Sequence, residues 1–424
     1  MIKFDKDVLQ ALKTLEKAGF ETFAIRDCVR DLMRGVYAYD WDLVTAASAE
    51  DLEKLFPEGK FQDEAKTTMR VDYTYEVEGG EGEEPHMEGA IMDLHVLDCT
   101  LEACLGREIF TVQAMADNPD RRFVDPFGGR EDMKKKIIRT IGNADDAFKA
   151  NPISMLEAVS LAAEMDFDLH KDVFDGILRN WRLLLEYDRT AIREHLERIL
   201  TSENAGKGLK LMAESGLMAV IFGEEVSKKM SHNDMRAFNV LSDNIDKTRP
   251  VRLRRLGLLY TILNKKPGLE AIDRLEFSDE DKVYLYDAMN LMMDIQFLGE
   301  PVKFKRFLFE VGLDRYNYLH NLSKAQRIVY DQPTQRVESR NYAMMEIIQN
   351  NEPVFVEDLV IDANDIMEAG ITDDAEKAES LLRSVCALVH KHPKYNNREE
   401  LLKAAKKYSK NSLAEKMRYI HWYK

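Results

Sequence analysis

The sequence has 424 residues and a formal net charge of −16 at pH 7, which is enough chain for two or more domains. Its acidic balance argues against indiscriminate binding to nucleic acid, although a local basic face could still bind a phosphate backbone. Four cysteines without metal-ligand spacing predict free thiols in a reducing compartment. With no signal-peptide pattern and no apolar run of membrane-spanning length, we expect a cytoplasmic protein without a membrane partner.

The first 145 residues alternate between helical and strand patterns. Apolar residues at helical spacing predict an amphipathic helix over 5–18, ended by Gly19. A short helix over 49–56 has Ser48 as a candidate N-cap. Strand patterns cover 21–25, 39–45, 69–77 and 90–97, and the Gly- and Glu-rich stretch 78–88 reads as an exposed loop. This order predicts a small mixed sheet with flanking helices.

After about residue 145 strand signals nearly vanish and helical periodicity dominates. The predicted helices cover 153–165, 171–186, 189–201, 205–217, 232–245, 250–263, 280–296, 303–311, 314–330, 334–350, 375–391 and 397–409. The composition changes near 145–150 and, less sharply, near 350. The predicted fold class is therefore α+β, a mixed α/β head followed by an elongated, all-helical remainder.

Two aspartates mark the second predicted strand. Asp40 and Asp42 are one residue apart, so their side chains point to the same face. Two carboxylates so placed repel each other unless a cation lies between them, and oxygen ligands of this kind suit Mg²⁺. A bound ion of this type can bridge nucleotide phosphates. The alternative is a solvated strand edge, and Asp93, on a strand that could pair with this one, is either a third site acid or another solvent-facing residue.

The segment around these aspartates resembles the class II nucleotidyltransferases, the family of CCA-adding enzymes and bacterial poly(A) polymerases. The matching positions are Val29, Arg30, Asp31, Leu32, Gly35, Asp40, Asp42 and Thr45. A second match, over 123–133, carries the turn sequence VDPFGG, whose two glycines can adopt positive φ. The resemblance implies a nucleotidyltransferase-type head, catalysis by Asp40, Asp42 and Asp93, and Mg²⁺ held by the first two.

The chain also departs from the family pattern. Arg26 and Asp27 replace a glycine pair that lets the backbone approach a triphosphate. Glu108 stands where the second of two arginines is expected, beside Arg107, which matches. An aspartate and an arginine that read the base edge are replaced by Asn151 and Ser154. The positions that the resemblance assigns to nucleotide binding are Arg26, Asp27, Arg30, Arg107, Asn151 and Ser154.

The resemblance continues through the helical part and implies four regions. They are a head at 1–145, a neck at 146–225 that contacts nucleotide and RNA, a body at 226–350 and a tRNA-binding-like tail at 351–424. Two functions stay open. One is Mg²⁺-dependent nucleotidyl transfer to the 3′ end of a tRNA or another RNA. The other is a catalytically impaired paralogue that serves as an RNA- or protein-binding scaffold. The departures weigh against binding of CTP or ATP.

Overall fold

The computed structural model describes residues 4–77 and 86–410. The chain divides into two compact units, Met1–Ser227 and Lys228–Lys424. The first contains all described strands and the second is helical, which confirms the predicted α+β class. No helix in the described residues is long and apolar enough to cross a membrane.

The first unit is built on a sheet of seven strands in the order β3–β4–β7–β2–β1–β8–β9. The strands of this unit are β1 (Thr22–Ile25), β2 (Asp40–Thr45), β3 (Lys60–Phe61), β4 (Thr68–Asp72), β5 (Tyr75–Val77), β6 (His86–Glu88), β7 (Ile91–Val96), β8 (Ala116–Asp117), β9 (Phe123–Val124), β10 (Ile137–Ile138) and β11 (Asp168–Leu169). β2 pairs antiparallel with β1 and parallel with β7, so it lies in the middle of the sheet. β5 with β6, and β10 with β11, form two small separate sheets.

Helices of the first unit cover the sheet and continue beyond it. They are α1 (Lys6–Lys17), α2 (Asp27–Arg34), α3 (Ala49–Leu55), α4 (Leu101–Leu105), α5 (Gly129–Lys135), α6 (Ala144–Ala150), α7 (Ser154–Met165), α8 (Lys171–Asn180), α9 (Arg189–Thr201), α10 (Ala205–Ser215), α11 (Met218–Phe222) and α12 (Glu224–Lys228). The N-caps follow the sequence, since Asp5 caps α1 and Ser48 forms a capping box with Asp51 at α3.

The two faces of β2 have different surroundings. Trp41 and Leu43 are fully buried on one face, where the Trp41 ring lies 5.1 Å from that of Phe4. On the other face Val44 packs in an apolar cluster with Ile25 and other buried side chains. Asp42 precedes Val44 by two residues and therefore shares its face. Asp42 thus lies at the edge of the apolar cluster in which β1, β2 and α4 pack together.

The glycine pair of the VDPFGG turn is needed for two different reasons. Gly128 has φ +79°, the left-handed region that favours glycine. Gly129 has no positive φ and begins α5, but a Cβ on it would collide with the backbone carbonyl oxygen of Thr111. The sequence prediction of positive φ is therefore correct for Gly128 only, and Gly129 serves close packing.

In the described residues 228–410 the second unit is helical, and the segment 350–362 between two of its helices contains a 3-10 turn. Its helices are α13 (His232–Asn244), α14 (Arg252–Tyr260), α15 (Lys265–Arg274), α16 (Asp279–Gln296), α17 (Pro301–Val329), α18 (Gln335–Gln349), α19 (Ala363–Glu368), α20 (Ala375–Lys391) and α21 (Arg398–Ser409). Gly312 has φ 79° and ψ 169° inside α17, so the two predicted helices on either side of it meet at a kink. Near the C-terminal end, α19, α20 and α21 share one apolar cluster.

Two predicted elements differ from the structure. The strand predicted over 69–77 is interrupted after Asp72, whose carboxylate accepts a hydrogen bond from the backbone N–H of Thr74 at 2.8 Å and turns the chain. The loop predicted over 78–88 ends in a strand, because His86–Glu88 pairs with Tyr75–Val77; residues 78–85 lie outside the described part of the chain.

Candidate active site

Three aspartates share one face of the central strands. Asp40 is exposed and Asp42 is partly exposed, while Trp41 between them is buried on the opposite face. Asp93 lies directly beside Asp42 in the parallel pairing of β2 with β7. Residues opposite each other in neighbouring strands project to the same side of a sheet. The structure therefore brings together Asp40, Asp42 and Asp93, the three acids singled out in the sequence.

Asp42 ends a hydrogen-bonded chain that crosses three adjacent strands. The Nε2 atom of His95 lies 2.7 Å from Oδ1 of Asp42, and its Nδ1 atom lies 3.0 Å from the hydroxyl of Thr68. An ionised carboxylate only accepts hydrogen bonds, so Nε2 donates to Asp42. In the neutral imidazole, Nδ1 then accepts the hydroxyl proton of Thr68. The carboxylate of Asp42 is thereby held in one orientation.

Arg26 approaches Asp42 from the other side. Its Nη1 atom is 3.6 Å from Oδ1 of Asp42, and its Nε donates a hydrogen bond of 2.7 Å to Oε1 of Glu108. Burial by itself would lower the pKa of the Arg26 guanidinium, but the charges of Glu108 and Asp42 outweigh it and raise that pKa. Arg26 is therefore a permanent positive charge between two carboxylates.

Asp93 is already engaged within the protein. Arg70, opposite Asp93 in the pairing of β4 with β7, donates from Nε and Nη2 to the two carboxylate oxygens at 2.8 and 2.7 Å. This two-point geometry is the strongest form of an arginine–carboxylate pair. Each oxygen of Asp93 consequently accepts a hydrogen bond from a guanidinium whose positive charge neutralises the carboxylate, which makes Asp93 a weaker metal ligand than Asp40 and Asp42.

The residues of this face fit one divalent cation better than several. Asp40 and Asp42 supply the oxygen donors that Mg²⁺ prefers, and they lie on the same side of β2. Asp93 is the weaker ligand because Arg70 donates to both its oxygens and neutralises its charge. Within residues 4–77 and 86–410, no group of three or more His, Cys, Asp or Glu side chains is arranged to hold a metal ion.

A second polar network lies at the start of α2. Arg30 is buried and donates to Asp27 at 2.7 Å and to Asp31 at 2.9 and 3.1 Å. The amide of Gln113 donates to Asp27 at 3.3 Å and to Glu157 at 3.0 Å. Burial raises the pKa of Glu157, and the negative charge of Asp27 adds to the rise. Arg30 and Asp27 are thus bound to each other. Each of the three guanidinium nitrogens of Arg30 donates to a carboxylate of the protein itself, either Asp27 or Asp31.

Arg107 and Ser154, two further predicted nucleotide-binding residues, have different surroundings. Arg107 is exposed and donates to Asp98 at 2.9 and 3.1 Å. Together with Arg26 and His95 it lines a cavity of about 290 Å³. Ser154 has no exposed surface, and its hydroxyl donates to the backbone carbonyl oxygen of Asn151 at 2.6 Å. The hydroxyl has donated its only proton, and a side chain without exposed surface cannot reach a base.

Sequence reasoning missed several residues of the site. His95, Thr68 and Arg70 were not singled out, although His95 and Asp93 alternate along β7 in the pattern that places them on one face. Gln113 and Glu157 belong to segments far apart in the sequence, and their meeting with Asp27 depends on the tertiary fold. The strand period was therefore an available signal for His95, whereas none existed for Gln113.

Comparison with known families and proteins agrees with this architecture. The family described as "Poly A polymerase head domain" matches residues 23–139, and "Probable RNA and SrmB- binding site of polymerase A" matches residues 166–230. The CCA-adding enzyme of Geobacillus stearothermophilus is 29% identical over 221 residues, 51% of this chain and 55% of that enzyme. That of Limosilactobacillus reuteri (strain DSM 20016) is 30% identical over 209 residues, 49% of this chain and 52% of that enzyme. In sequence, the chain spans about half the length of the curated relatives that it matches.

Solved structures extend the likeness along the chain. The crystal structure of the Bacillus stearothermophilus CCA-adding enzyme in complex with CTP superposes with a TM-score of 0.75 at 21% identity and covers 95% of this chain and 97% of that one. The Thermotoga maritima CCA-adding enzyme complexed with tRNA gives a TM-score of 0.60 at 19% identity, with 95% of each chain covered. At these identities the likeness establishes a shared fold.

Proposed function

Because the chain belongs to the family of tRNA nucleotidyltransferases and bacterial poly(A) polymerases, we propose that it transfers nucleotides to the 3′ end of an RNA. The observation that carries this proposal is the pair Asp40 and Asp42 on one face of β2, with Asp93 beside Asp42 in register. Solved structures of similar proteins are complexes with CTP and with tRNA, so a tRNA 3′ end is the first substrate to test.

In this proposal Asp40 and Asp42 hold Mg²⁺, the cofactor expected for the family. A metal ion held there would neutralise phosphate charge in a nucleotidyl transfer. The protein's own contribution is positioning. His95 and Arg26 fix the orientation of Asp42, while Arg26 and Arg107 present guanidinium groups at the adjoining cavity.

The proposal divides the chain into four regions. We assign the head to 1–145, the neck to 146–225, the body to 226–350 and the tail to 351–424, with RNA contacts in the neck and the tail. Of the six residues assigned from the family pattern, Arg26, Asp27, Arg30, Arg107 and Asn151 stay proposed nucleotide-side residues, whereas Ser154 is buried and already donates its hydroxyl proton to Asn151. Arg26 and Arg107 are the strongest of these, because each lines the cavity beside the acidic face.

The test is incubation of the purified protein with a tRNA that lacks its terminal residues, Mg²⁺ and labelled nucleotides. Transfer that depends on Mg²⁺ and disappears in the D40N/D42N variant would support the proposal. The matched control is D120N, since Asp120 is an exposed acid of the same unit outside the site. Equal transfer by D40N/D42N and by wild type would refute the assignment of these two aspartates.

A second candidate function is an RNA- or protein-binding scaffold without catalysis. The specific observation in its favour is the ion pair between Arg26 and Glu108, which places a carboxylate and its counter-ion beside Asp42. A bound triphosphate would meet the negative charge of Glu108 at close range, and like charges so placed repel. Retained binding of tRNA without any incorporation of label, at all Mg²⁺ concentrations, would favour this function over the first.

A further inference from the structure

The backbone of Arg26 adopts a conformation that side chains disfavour. Its φ of 63° and ψ of −134° match the first central position of a type II′ turn, where glycine dominates. A residue with a Cβ is strained at such a position. Strain of this kind persists where the surrounding structure holds it in place and often coincides with functional sites.

The strained backbone of Arg26 places its guanidinium between two carboxylates. From this turn the guanidinium reaches Oε1 of Glu108 at 2.7 Å and Oδ1 of Asp42 at 3.6 Å. The two acids are 66 positions apart in the chain and would repel each other if nothing positive lay between them. The guanidinium therefore bridges two carboxylates, as a metal ion does in a site where carboxylates are shared.

The charges on this face leave room for one divalent ion. The carboxylates are those of Asp40, Asp42, Asp93 and Glu108. Two of the four charges are balanced by Arg26 and by Arg70, the partner of Asp93. The two charges that remain equal the charge of a single Mg²⁺, whereas a second such ion would leave the face positive.

We propose that the Arg26 guanidinium occupies the place of a second divalent cation, so that this face holds at most one metal ion, at Asp40 and Asp42. The inference rests on the proposed use of Asp40 and Asp42 as metal ligands. It makes Arg26 a positioning residue for Asp42 and Glu108 that also limits the metal content of the site.

The test counts bound Mn²⁺ by electron paramagnetic resonance, in which the signal of the free ion falls as ions bind. Wild type, R26G, R26K and R26G/E108Q are titrated under identical conditions. Glycine suits the turn, so R26G is expected to fold, and circular dichroism verifies this for each variant. We expect R26G to bind one more ion than wild type, since Asp42 and Glu108 are then left without their cation.

The two other variants test whether the additional ion depends on the missing positive charge and on the carboxylate of Glu108. R26K keeps a positive charge and should bind no additional ion, whereas R26G/E108Q loses the second carboxylate and should return to the wild-type count. Equal counts for folded R26G and wild type would overturn the proposal, as would a gain that survives E108Q. The assay contains neither RNA nor nucleotide, so absent nucleotidyl transfer would refute the proposed function and leave this count unaffected.

Discussion

Replacing Arg26 by glycine and by alanine separates backbone strain from side-chain contact. Both substitutions remove the guanidinium and therefore lose the same contacts with Glu108 and Asp42. They differ only in the Cβ atom, which glycine lacks. At most positions a change from alanine to glycine costs roughly 0.5–1 kcal/mol, because the unfolded glycine chain has more freedom to lose. At φ 63° and ψ −134° we expect the opposite order.

The expected difference follows from two opposing terms. A residue with a Cβ in this region pays on the order of 1–3 kcal/mol, and the entropic cost of glycine, roughly 0.5–1 kcal/mol, acts against it. R26G should therefore be more stable than R26A by about 1 kcal/mol. For a folding unit of this size, that difference corresponds to a rise in melting temperature of roughly 2–4 °C.

The assay is urea unfolding followed by tryptophan fluorescence. Two of the three tryptophans, Trp41 and Trp181, lie in the first unit and are at most 9% exposed, so their emission reports its unfolding. The variants share one sequence apart from the substitution, and their urea dependence should have the same slope. If R26A proved as stable as R26G, the backbone at position 26 would not be strained and the reasoning would fail.

Four further results are expected. Titration calorimetry with CTP and ATP in Mg²⁺ should give dissociation constants above about 1 mM, which corresponds to a binding free energy weaker than about −4 kcal/mol. The reason is that the Arg26–Glu108 pair occupies the approach to Asp42. Micromolar binding would contradict this. Any residual transfer should lack an ordered C-C-A product, because Ser154 is buried and already hydrogen-bonded; sequencing of the RNA 3′ ends decides it. Burial lowers the pKa of His195 to about 4, so the contribution of this histidine to stability should be fully present above pH 6.5 and be reduced by roughly 3 kcal/mol as the pH drops toward 4; acid unfolding curves of H195N should lack that part of the dependence. G129A should destabilise the first unit by about 1–3 kcal/mol, measured by its melting temperature, whereas an unchanged value would exclude the predicted collision.

Local patterns predicted most of the fold, since their causes are local. The capping box at Ser48, the amphipathic spacing of α1 and the helix at 375–391 all depend on residues within a few turns of one another. Seven helices of the described residues escaped prediction, namely α4, α5, α6, α11, α12, α15 and α19. All of them except the ten-residue α15 have five to seven residues, which hold too few apolar positions to show a period. Strand length was overestimated where Asp72 turns the chain by a side-chain hydrogen bond.

The candidate site was predictable to the extent that strand alternation determines it. Period two places Asp40 and Asp42 on one face, and the parallel partner strand brings Asp93 beside them. Strand alternation does not predict which basic side chain pairs with each aspartate. Arg70 comes to Asp93 only because β4 and β7 pair in a particular register, and a one-residue shift would turn its side chain to the opposite face.

Arg26 and Glu108, which replace a glycine and an arginine of the family pattern, lead to a different interpretation when they are considered as a pair. Considered singly, an arginine in place of a glycine adds bulk, and a glutamate in place of an arginine inverts a charge, so each weighs against a working nucleotide site. In the structure the two side chains are ion partners, with Nε of Arg26 2.7 Å from Oε1 of Glu108. A positive charge has thus been moved across the site from position 108 to position 26, where it also lies 3.6 Å from Asp42. The summed charge at the two positions is nevertheless 0, for arginine and glutamate, where glycine and arginine would give +1, and the arginine at position 26 adopts a strained turn. Glycine would relieve that strain but would lose both contacts of the guanidinium, so the arginine at this position combines a strained backbone with a positive charge beside Asp42.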